Sequence, residues 1–369
     1  MLNREYLRLN VFDKNTLQFK DKSTISSDNY VIDVDIYVEK ISSFTLTPKT
    51  TINGVSLNAS AGDIVYITNE NNVLLYIGTI NDIELSETET TNLITIKTTD
   101  IFDLLNVDIV AISLIAGNVA DYIESIIEDN FVLTADPKLQ KDYLNIVKNV
   151  STVGTLLFDE DTSIRFYDLM NIVFDTFNIY IKFSIEYSSS GIPESLRVEL
   201  TDEQKQITLK DNVKDIQDIK IKELNKQTVN KVTLEPKAEN VVDLVTVDYY
   251  LLIDNTITTD ETDVNRFDDV ISKIIFYADG DDLAALASKE LKGNIYNHYI
   301  DFNYLTDSKI YTPIEEFNVY DRFNLILQDK SYDSILTGYT INSNNNVIKL
   351  VYGKVRITLT DKLNRRGNL

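Results

Sequence analysis

From Tyr30 to Glu39 apolar and polar residues alternate, with Ile32, Val34, Ile36 and Val38 on one side and Asp33, Asp35, Tyr37 and Glu39 on the other. That two-residue period is the mark of a half-buried strand. Further short alternating runs follow at Gly62 to Thr68, Val73 to Ile80 and Asn92 to Thr98, separated by polar turns such as Asn69-Glu70-Asn71-Asn72. Residues 1–103 are expected to form one antiparallel β-barrel or sandwich.

The period then changes. Ile115, Val119, Tyr122, Ile123, Ile126 and Ile127 recur at helical spacing behind Ser113, a candidate N-cap, and predict a helix to about Asp129. A second helix is predicted from Ser163 to Phe177, where Ile164, Tyr167, Met170, Phe174 and Phe177 form one stripe. Ile179, Ile181, Phe183, Ile185 and Tyr187 alternate after it as a strand, and Gly191-Ile-Pro193 turns the chain toward Leu196, Val198 and Leu200. Short strands are predicted at Gln206 to Leu209 and Val213 to Leu224, so 104–225 is expected to be an α+β middle domain. Strand patterning resumes at Val232-Thr-Leu234 and Val241 to Ile253, and returns from Phe317 toward the basic end Lys362-Leu-Asn-Arg-Arg366. Between them Leu283, Leu286, Ala287, Leu291 and Ile295 share a helical face. The expected division is a second barrel from 226–262 and 310–369, with a helical insert at 263–309.

Two stretches of the chain answer each other. Gly62-Asp-Ile-Val-Tyr-Ile-Thr68 matches Tyr320-Asp-Arg-Phe-Asn-Leu-Ile326 with Asp63 over Asp321, and Leu75 to Ile80 matches Ile335 to Ile341 with Gly78 over Gly338. Asn92 to Lys97 then matches Asn346 to Val351, and Asp103-Leu-Leu-Asn106 matches Asp361-Lys-Leu-Asn364. The expected fold is α+β and mainly β: two related antiparallel barrels flank an α+β domain. Gly62, Gly78 and Gly338 are the expected structural turn glycines of the barrel hairpins. Three copies of such a chain would supply six similar barrels, a pseudo-sixfold ring built from a trimer.

Composition narrows the chemistry. The 369 residues contain no cysteine, which removes disulfides, thiolate nucleophiles and cysteine-ligated metal sites. The eleven glycines form neither GxGxxG nor a P-loop nor a GxSxG elbow, and one histidine, His298, cannot build an HExxH zinc helix. His298 is expected near the end of a helix, where an imidazole interacts with terminal carbonyls or packs beside Tyr299. The acidic clusters Asp159-Glu160-Asp161 and Asp279-Gly280-Asp281-Asp282 precede helical patterns and are expected to cap them, since neither forms a full EF-hand loop. No catalytic residue, cofactor or metal is expected. The net charge of −23 is opposite to that of a phosphate-backbone binder. The N-terminus lacks the order of a secretory signal, and the longest uncharged apolar stretch, Ile109 to Ala120, falls short of the roughly twenty residues a membrane helix needs. Paired carboxylates stay open as a catalytic option, so the alternative reading is a glycan hydrolase or carbohydrate-binding β protein.

The chain resembles the hub proteins at the tip of phage tails: the N-terminal module of tail-associated lysins in siphophages and the central hub of contractile baseplates. The residues that carry the resemblance are Gly62 to Thr68 with Leu75-Tyr-Ile-Gly78, Ile126-Ile-Glu-Asp-Asn-Phe131, Asn230-Lys-Val-Thr-Leu234, Tyr249-Tyr-Leu-Leu252 with Thr256-Ile-Thr-Thr-Asp260, and Gly338-Tyr-Thr-Ile341 leading to Tyr352-Gly-Lys-Val-Arg356. The resemblance implies a homotrimer under a hexameric distal tail protein, in contact with tape-measure and receptor-binding or fibre proteins. Such a hub closes the tube until infection and then passes DNA without binding it specifically. It implies a virion location at the tail tip or baseplate, host cytoplasm during assembly, and no enzymatic activity in a chain ending at Leu369, where longer relatives continue into a peptidoglycan-cleaving or fibre domain. A tube that passes a polyanion is served by carboxylates on its wall. Asp33, Asp35, Glu39, Asp82, Glu84, Glu87 and Glu89 are the candidate lumen-facing acids, with ordinary solubility charge as the alternative role.

Overall fold

The computed structural model describes residues 7–46, 57–87, 92–156, 158, 163–211, 214–223, 229–237, 245–253, 256–268, 270–278, 282–291, 298–306, 308, 310–311 and 316–353. The fold is mainly β, 54% strand and 13% helix, as the alternating pattern predicts. The chain divides into two compact units, one of Met1–Lys220 with Asp301–Tyr352 and one of Ile221–Ile300 with Gly353–Leu369.

The first unit opens with β1 (Leu7–Phe12), β2 (Phe19–Asp35), β3 (Ser42–Leu46), β4 (Ile64–Thr68), β5 (Leu74–Glu87) and β6 (Asn92–Asp100). In the order β1-β4-β5-β6-β3-β2, with β1 also pairing β2, they close an antiparallel six-stranded barrel. Leu9, Val11, Ile25, Ile32, Phe44, Ile67 and Ile96 fill it, each essentially without solvent exposure. The alternation read as a strand from Tyr30 to Glu39 stops earlier. The Asp35 carboxylate accepts N–H bonds from Tyr37 at 2.8 Å and Val38 at 3.2 Å, an Asx turn that takes the backbone out of the sheet.

A short 3-10 helix, Ile101–Leu105, leads into the middle region. There β7 (Asp108–Val110) pairs β11 (Ser163–Arg165), and β8 (Leu114–Asn118) pairs β10 (Val153–Leu156). Helix α1 (Val119–Ile127) begins at Asn118, whose side chain accepts from Ala120 and Asp121 N–H. Ser113 is therefore not the cap; its hydroxyl bonds the backbone of Phe158, and Ile115 lies in a strand. Helix α2 (Phe166–Phe177) ends at Asn178 with φ of 58°, a left-handed C-cap. The strands β9 (Leu144–Lys148), β12 (Tyr180–Tyr187) and β13 (Pro193–Thr201) form a sheet in the order β12-β13-β9. One core holds Val119, Ile123 and Ile127 of α1, Phe166, Leu169 and Val173 of α2, and Val198 and Leu200 of β13. The stripes stand from Val119 to Ile127 and from Tyr167 to Phe177, but Ile115 and Ile164, read as their first members, lie in β8 and β11; the strand from 179 to 187 stands as read.

Next come β14 (Gln206–Lys210) and β15 (Ile216–Glu223). In the second unit β16 (Lys231–Pro236), β17 (Val247–Leu251), β18 (Ile257–Thr258) and β19 (Ser272–Tyr277) form a four-stranded sheet in the order β18-β17-β16-β19. Helix α3 (Leu283–Glu290) belongs to this unit, where Ala287 and Leu291 share a core with Val232, Leu234, Leu251 and Tyr277. The Asp282 side chain accepts from Ala285 N–H, so this acid caps its helix as expected; Asp159 to Asp161 and Asp279 to Asp281 lie outside the described residues. The chain continues with β20 (His298–Leu305), β21 (Arg322–Leu327), β22 (Lys330–Asn342) and β23 (Val347–Tyr352). His298 thus opens a strand, because aromatic and apolar residues alternate through Tyr299, Ile300, Phe302 and Tyr304.

The second six-strand group runs β14-β21-β22-β23-β20-β15. It draws 206–210, 216–223 and 298–305 from segments that the sequence pattern assigned to the middle domain and the helical insert. Conversely, 231–236 and 247–251, assigned to the second barrel, belong to the four-stranded sheet. Alternation tells which face of a short strand is buried but not which strand it pairs with.

Candidate functional site

The two six-strand groups have the same strand order. Position by position, β1-β4-β5-β6-β3-β2 corresponds to β14-β21-β22-β23-β20-β15. The correspondence extends to atoms. Asp63 sits immediately before β4 and Asp321 immediately before β21, both almost fully buried at 1% and 4% exposure. One carboxylate oxygen of Asp63 accepts the Lys14 N–H at 3.3 Å and the other the Ser60 N–H at 2.7 Å. Asp321 accepts the Lys205 N–H at 3.3 Å and the Asn318 N–H at 2.9 Å in the same way. The preceding residues, Gly62 at φ of 86° and Tyr320 at φ of 76°, are both left-handed. Each donates its N–H to the next strand, Gly62 to Ile80 O and Tyr320 to Leu336 O. Ile80 and Leu336 return their own N–H groups to the carbonyls of Asp63 and Asp321. A buried carboxylate is tolerated here because backbone donors surround it.

The copies differ in two respects. Strand β14 runs parallel to β21, where β1 is antiparallel to β4, so the start of β14 lies where β1 ends and Lys205 stands in for Lys14. Asp63 also binds the Lys20 ammonium at 2.7 Å. At Asp321 burial outweighs the surrounding N–H groups and pushes the carboxyl above its ordinary range.

These bonds also correct the alignment of the second strands. Ile80 pairs with Thr98 and Asp82 with Lys97 across a bulge, as Leu336 pairs with Tyr352 and Gly338 with Val351. The counterpart of Gly338 is therefore Asp82 rather than Gly78, a slip of four residues, while Asn92 to Lys97 over Asn346 to Val351 holds. Gly62 occupies a turn. Gly78 and Gly338 instead lie inside β5 and β22. A Cβ at Gly78 would collide with the Thr99 carbonyl oxygen and the Tyr76 ring, so close approach of strands explains that glycine.

The two groups join through β2 and β22. Val31 to Asp35 pair antiparallel with Asn342 to Gly338, and Thr340 donates its hydroxyl to the Asp33 carboxylate at 3.1 Å. Of the candidate lumen acids, Asp33 and Asp35 are thus partly enclosed and hydrogen-bonded, whereas Glu39 is exposed. Asp82 and Glu84 are exposed on β5 beside Lys97, which is 3.9 Å from Asp82 and in direct contact with Glu84. Glu87 ends β5, and Glu89 lies outside the described residues. The buried acids Asp63 and Asp321 were legible as a repeat, but not as a matched pair of caged carboxylates.

Near the joint, the Asp100 carboxylate accepts the Phe102 N–H at 2.9 Å and caps the 3-10 helix. Burial, reinforced by Asp103, raises it to about 6 against the opposing effect of that bond. Among the described residues no cluster of His, Asp or Glu is arranged to hold a metal ion, and no helix is long and apolar enough to cross a membrane.

No family model matches the sequence, and no curated protein matches it at a significant level. Solved structures do. The 43 kDa tail protein of prophage MuSo2 from Shewanella oneidensis superimposes with a TM-score of 0.56 at 9% identity, over 95% of this chain and 98% of that one. A chain of the phage P2 baseplate in its activated conformation with Ca gives 0.52 at 13% identity, over 94% and 98%. A chain of the half-lidded Francisella PdpA-VgrG complex gives 0.55 at 11% identity, over 96% of this chain and 58% of that one. The resemblance carried by the sequence motifs is borne out at the level of architecture: the chain has the fold of phage baseplate and prophage tail proteins.

Proposed function

We propose that this chain is a structural hub subunit of a phage-type tail tip or baseplate, acting by assembly rather than catalysis. The observation that carries the reading is the duplicated six-strand group, in which strand order and caged aspartates repeat and a β2–β22 joint holds the two copies side by side. A homotrimer of such chains carries six similar groups, which suits a threefold hub to a sixfold tube, here a hexameric distal tail protein. The ring closes the tube and opens for DNA at infection. Carboxylates line the passage, and the polyanion slides because like charges repel. The whole-chain likeness to tail and baseplate proteins supports this reading.

Light scattering coupled to gel filtration tests it, on the chain alone and with the distal tail protein of the same genome. Three copies per particle, alone or on a six-copy ring, are expected. A monomer indifferent to that ring overturns the proposal and favours the glycan-binding alternative. For the lumen, Glu39→Lys is the cleanest probe because Asp33 and Asp35 carry internal hydrogen bonds. Assembled tails with this substitution should eject DNA more slowly; unchanged ejection removes Glu39 from the wall.

A further inference from the structure

The repeat that relates the two six-strand groups also relates their edges. Within the chain, the edge of β22 from Gly338 to Asn342 receives β2 of the other group. The counterpart of that edge in the first barrel is Asp82 to Ser86 of β5, because Ile80 and Leu336 hold equivalent positions. Strand β4 pairs with β5 only as far as Thr79, and among the described residues no strand continues along that edge. Leu85, at 73% exposure, stands open there. The counterpart of β2 is β15, the terminal strand of its sheet, paired only with β20 among the described residues. Among the described residues, one chain therefore uses one joint of a repeating series and leaves both halves of the next joint unpaired.

We propose that β15 of one copy pairs along Asp82 to Ser86 of β5 in a second copy of this chain, repeating between subunits the β2–β22 joint found within each. This rests on the trimeric hub reading and gives it an interface. The contact is heterologous, so it passes from copy to copy and closes when the rotation permits, at three copies for a pseudo-sixfold ring. Open edge strands are otherwise a liability for uncontrolled association.

Charge is compatible with the same pairing. The β5 edge carries Asp82 and Glu84 against the single Lys97, an excess of carboxylate. Strand β15 carries exposed Lys220 and Lys222. Lys220 lies 4.0 Å from Asp301, which Lys349 also approaches at 3.7 Å, and Asp218 accepts from Asn303 at 2.9 Å. Strand β15 sets Lys220 and Lys222 against Asp218 and Glu223 and is balanced in charge, so its two exposed ammonium groups are the ones that meet the acidic β5 edge. In a chain of net charge −23 most surfaces of two copies repel, whereas a charge-balanced strand offering two exposed ammonium groups to the acidic β5 edge does not. Because backbone edges make the contact, the side-chain faces of the wall stay available to line a lumen.

The experiment uses the full chain in four forms: wild type, Asp82→Lys with Glu84→Lys, Lys220→Glu with Lys222→Glu, and all four substitutions together. Assembly is read as mass against concentration by light scattering. Each one-sided reversal should weaken assembly at least about tenfold, and the four-fold exchange should recover most of the loss. Since the chain has no cysteine, Glu84→Cys and Lys222→Cys variants mixed and mildly oxidised should give crosslinked dimers, and the double-cysteine chain a covalent trimer. A wild-type trimer that ignores the reversals and forms no crosslink overturns this interface and leaves the hub reading standing. A wild type that is monomeric at every concentration, alone and with the distal tail ring, overturns both.

Discussion

Replacing Asp100 with Asn should remove a specific part of the pH dependence of stability. The carboxyl ends β6 and accepts the Phe102 N–H; Asp103 lies nearby, and it raises the phenols of Tyr76, Tyr167, Tyr320 and Tyr339, which burial elevates first. Its pKa rises from the ordinary 3.8 to about 6. An acid whose pKa is higher folded than unfolded holds its proton more tightly in the native state, so wild-type stability falls as pH climbs through that window. Two units at about 1.4 kcal/mol each set an upper limit of about 3 kcal/mol, and residual solvent access at Asp100 puts the expected change at about 1–3 kcal/mol. Asn mimics the protonated acid and keeps the acceptor that caps the 3-10 helix. The variant and wild type should therefore match near pH 3.5 and diverge toward pH 7.5, with Asp100→Asn the more stable. Urea unfolding followed by tyrosine fluorescence suits a chain with 21 tyrosines and no tryptophan. A constant offset across that range, or a variant less stable at pH 7.5, refutes the argument.

Asp63→Ala and Asp321→Ala each strand two backbone N–H groups and should each cost about 2–4 kcal/mol in urea unfolding; a loss below about 1 kcal/mol at either would show that its cage contributes little. Gly78→Ala drives a methyl into the Thr99 carbonyl and the Tyr76 ring and should cost about 1–3 kcal/mol by separating β5 from β6, whereas an unchanged melting temperature would mean the strands move apart freely. Gly62→Ala, at φ of 86°, should cost about 1 kcal/mol from backbone strain, and calorimetry showing no change would remove the strain argument. Phe166→Ala, fully buried between the middle-domain helices and strands, should cost about 3–5 kcal/mol, and a smaller loss by denaturant titration would mean that core collapses around the gap.

How far the fold can be read from the sequence varies with the range of the interaction. Local periodicity was sufficient for β4, β6, α2 and β12, since each rests on its own alternation or helical stripe. It extended the strand ending at Asp35 too far, because the Asx turn is made by one side chain against two N–H groups and leaves the apolar alternation intact. The start of α1 moved from Ser113 to Asn118 for a related reason: both residue types cap, and only the pairing of β8 with β10 decides which of them is free to do so.

The sequence by itself determined that the chain is mainly β, that it carries no thiol or nucleotide-loop chemistry, and that its ends share a repeated Asp-and-strand pattern. Each of these follows from residue type and local spacing. Only the tertiary structure decided that β14, β15 and β20 complete the second six-strand group, that β14 enters it reversed, and that Asp82 rather than Gly78 answers Gly338. Pairing partners, strand sense and register are set by hydrogen bonds between segments up to a hundred or more residues apart. A short alternating strand presents the same pattern to every neighbour it could join.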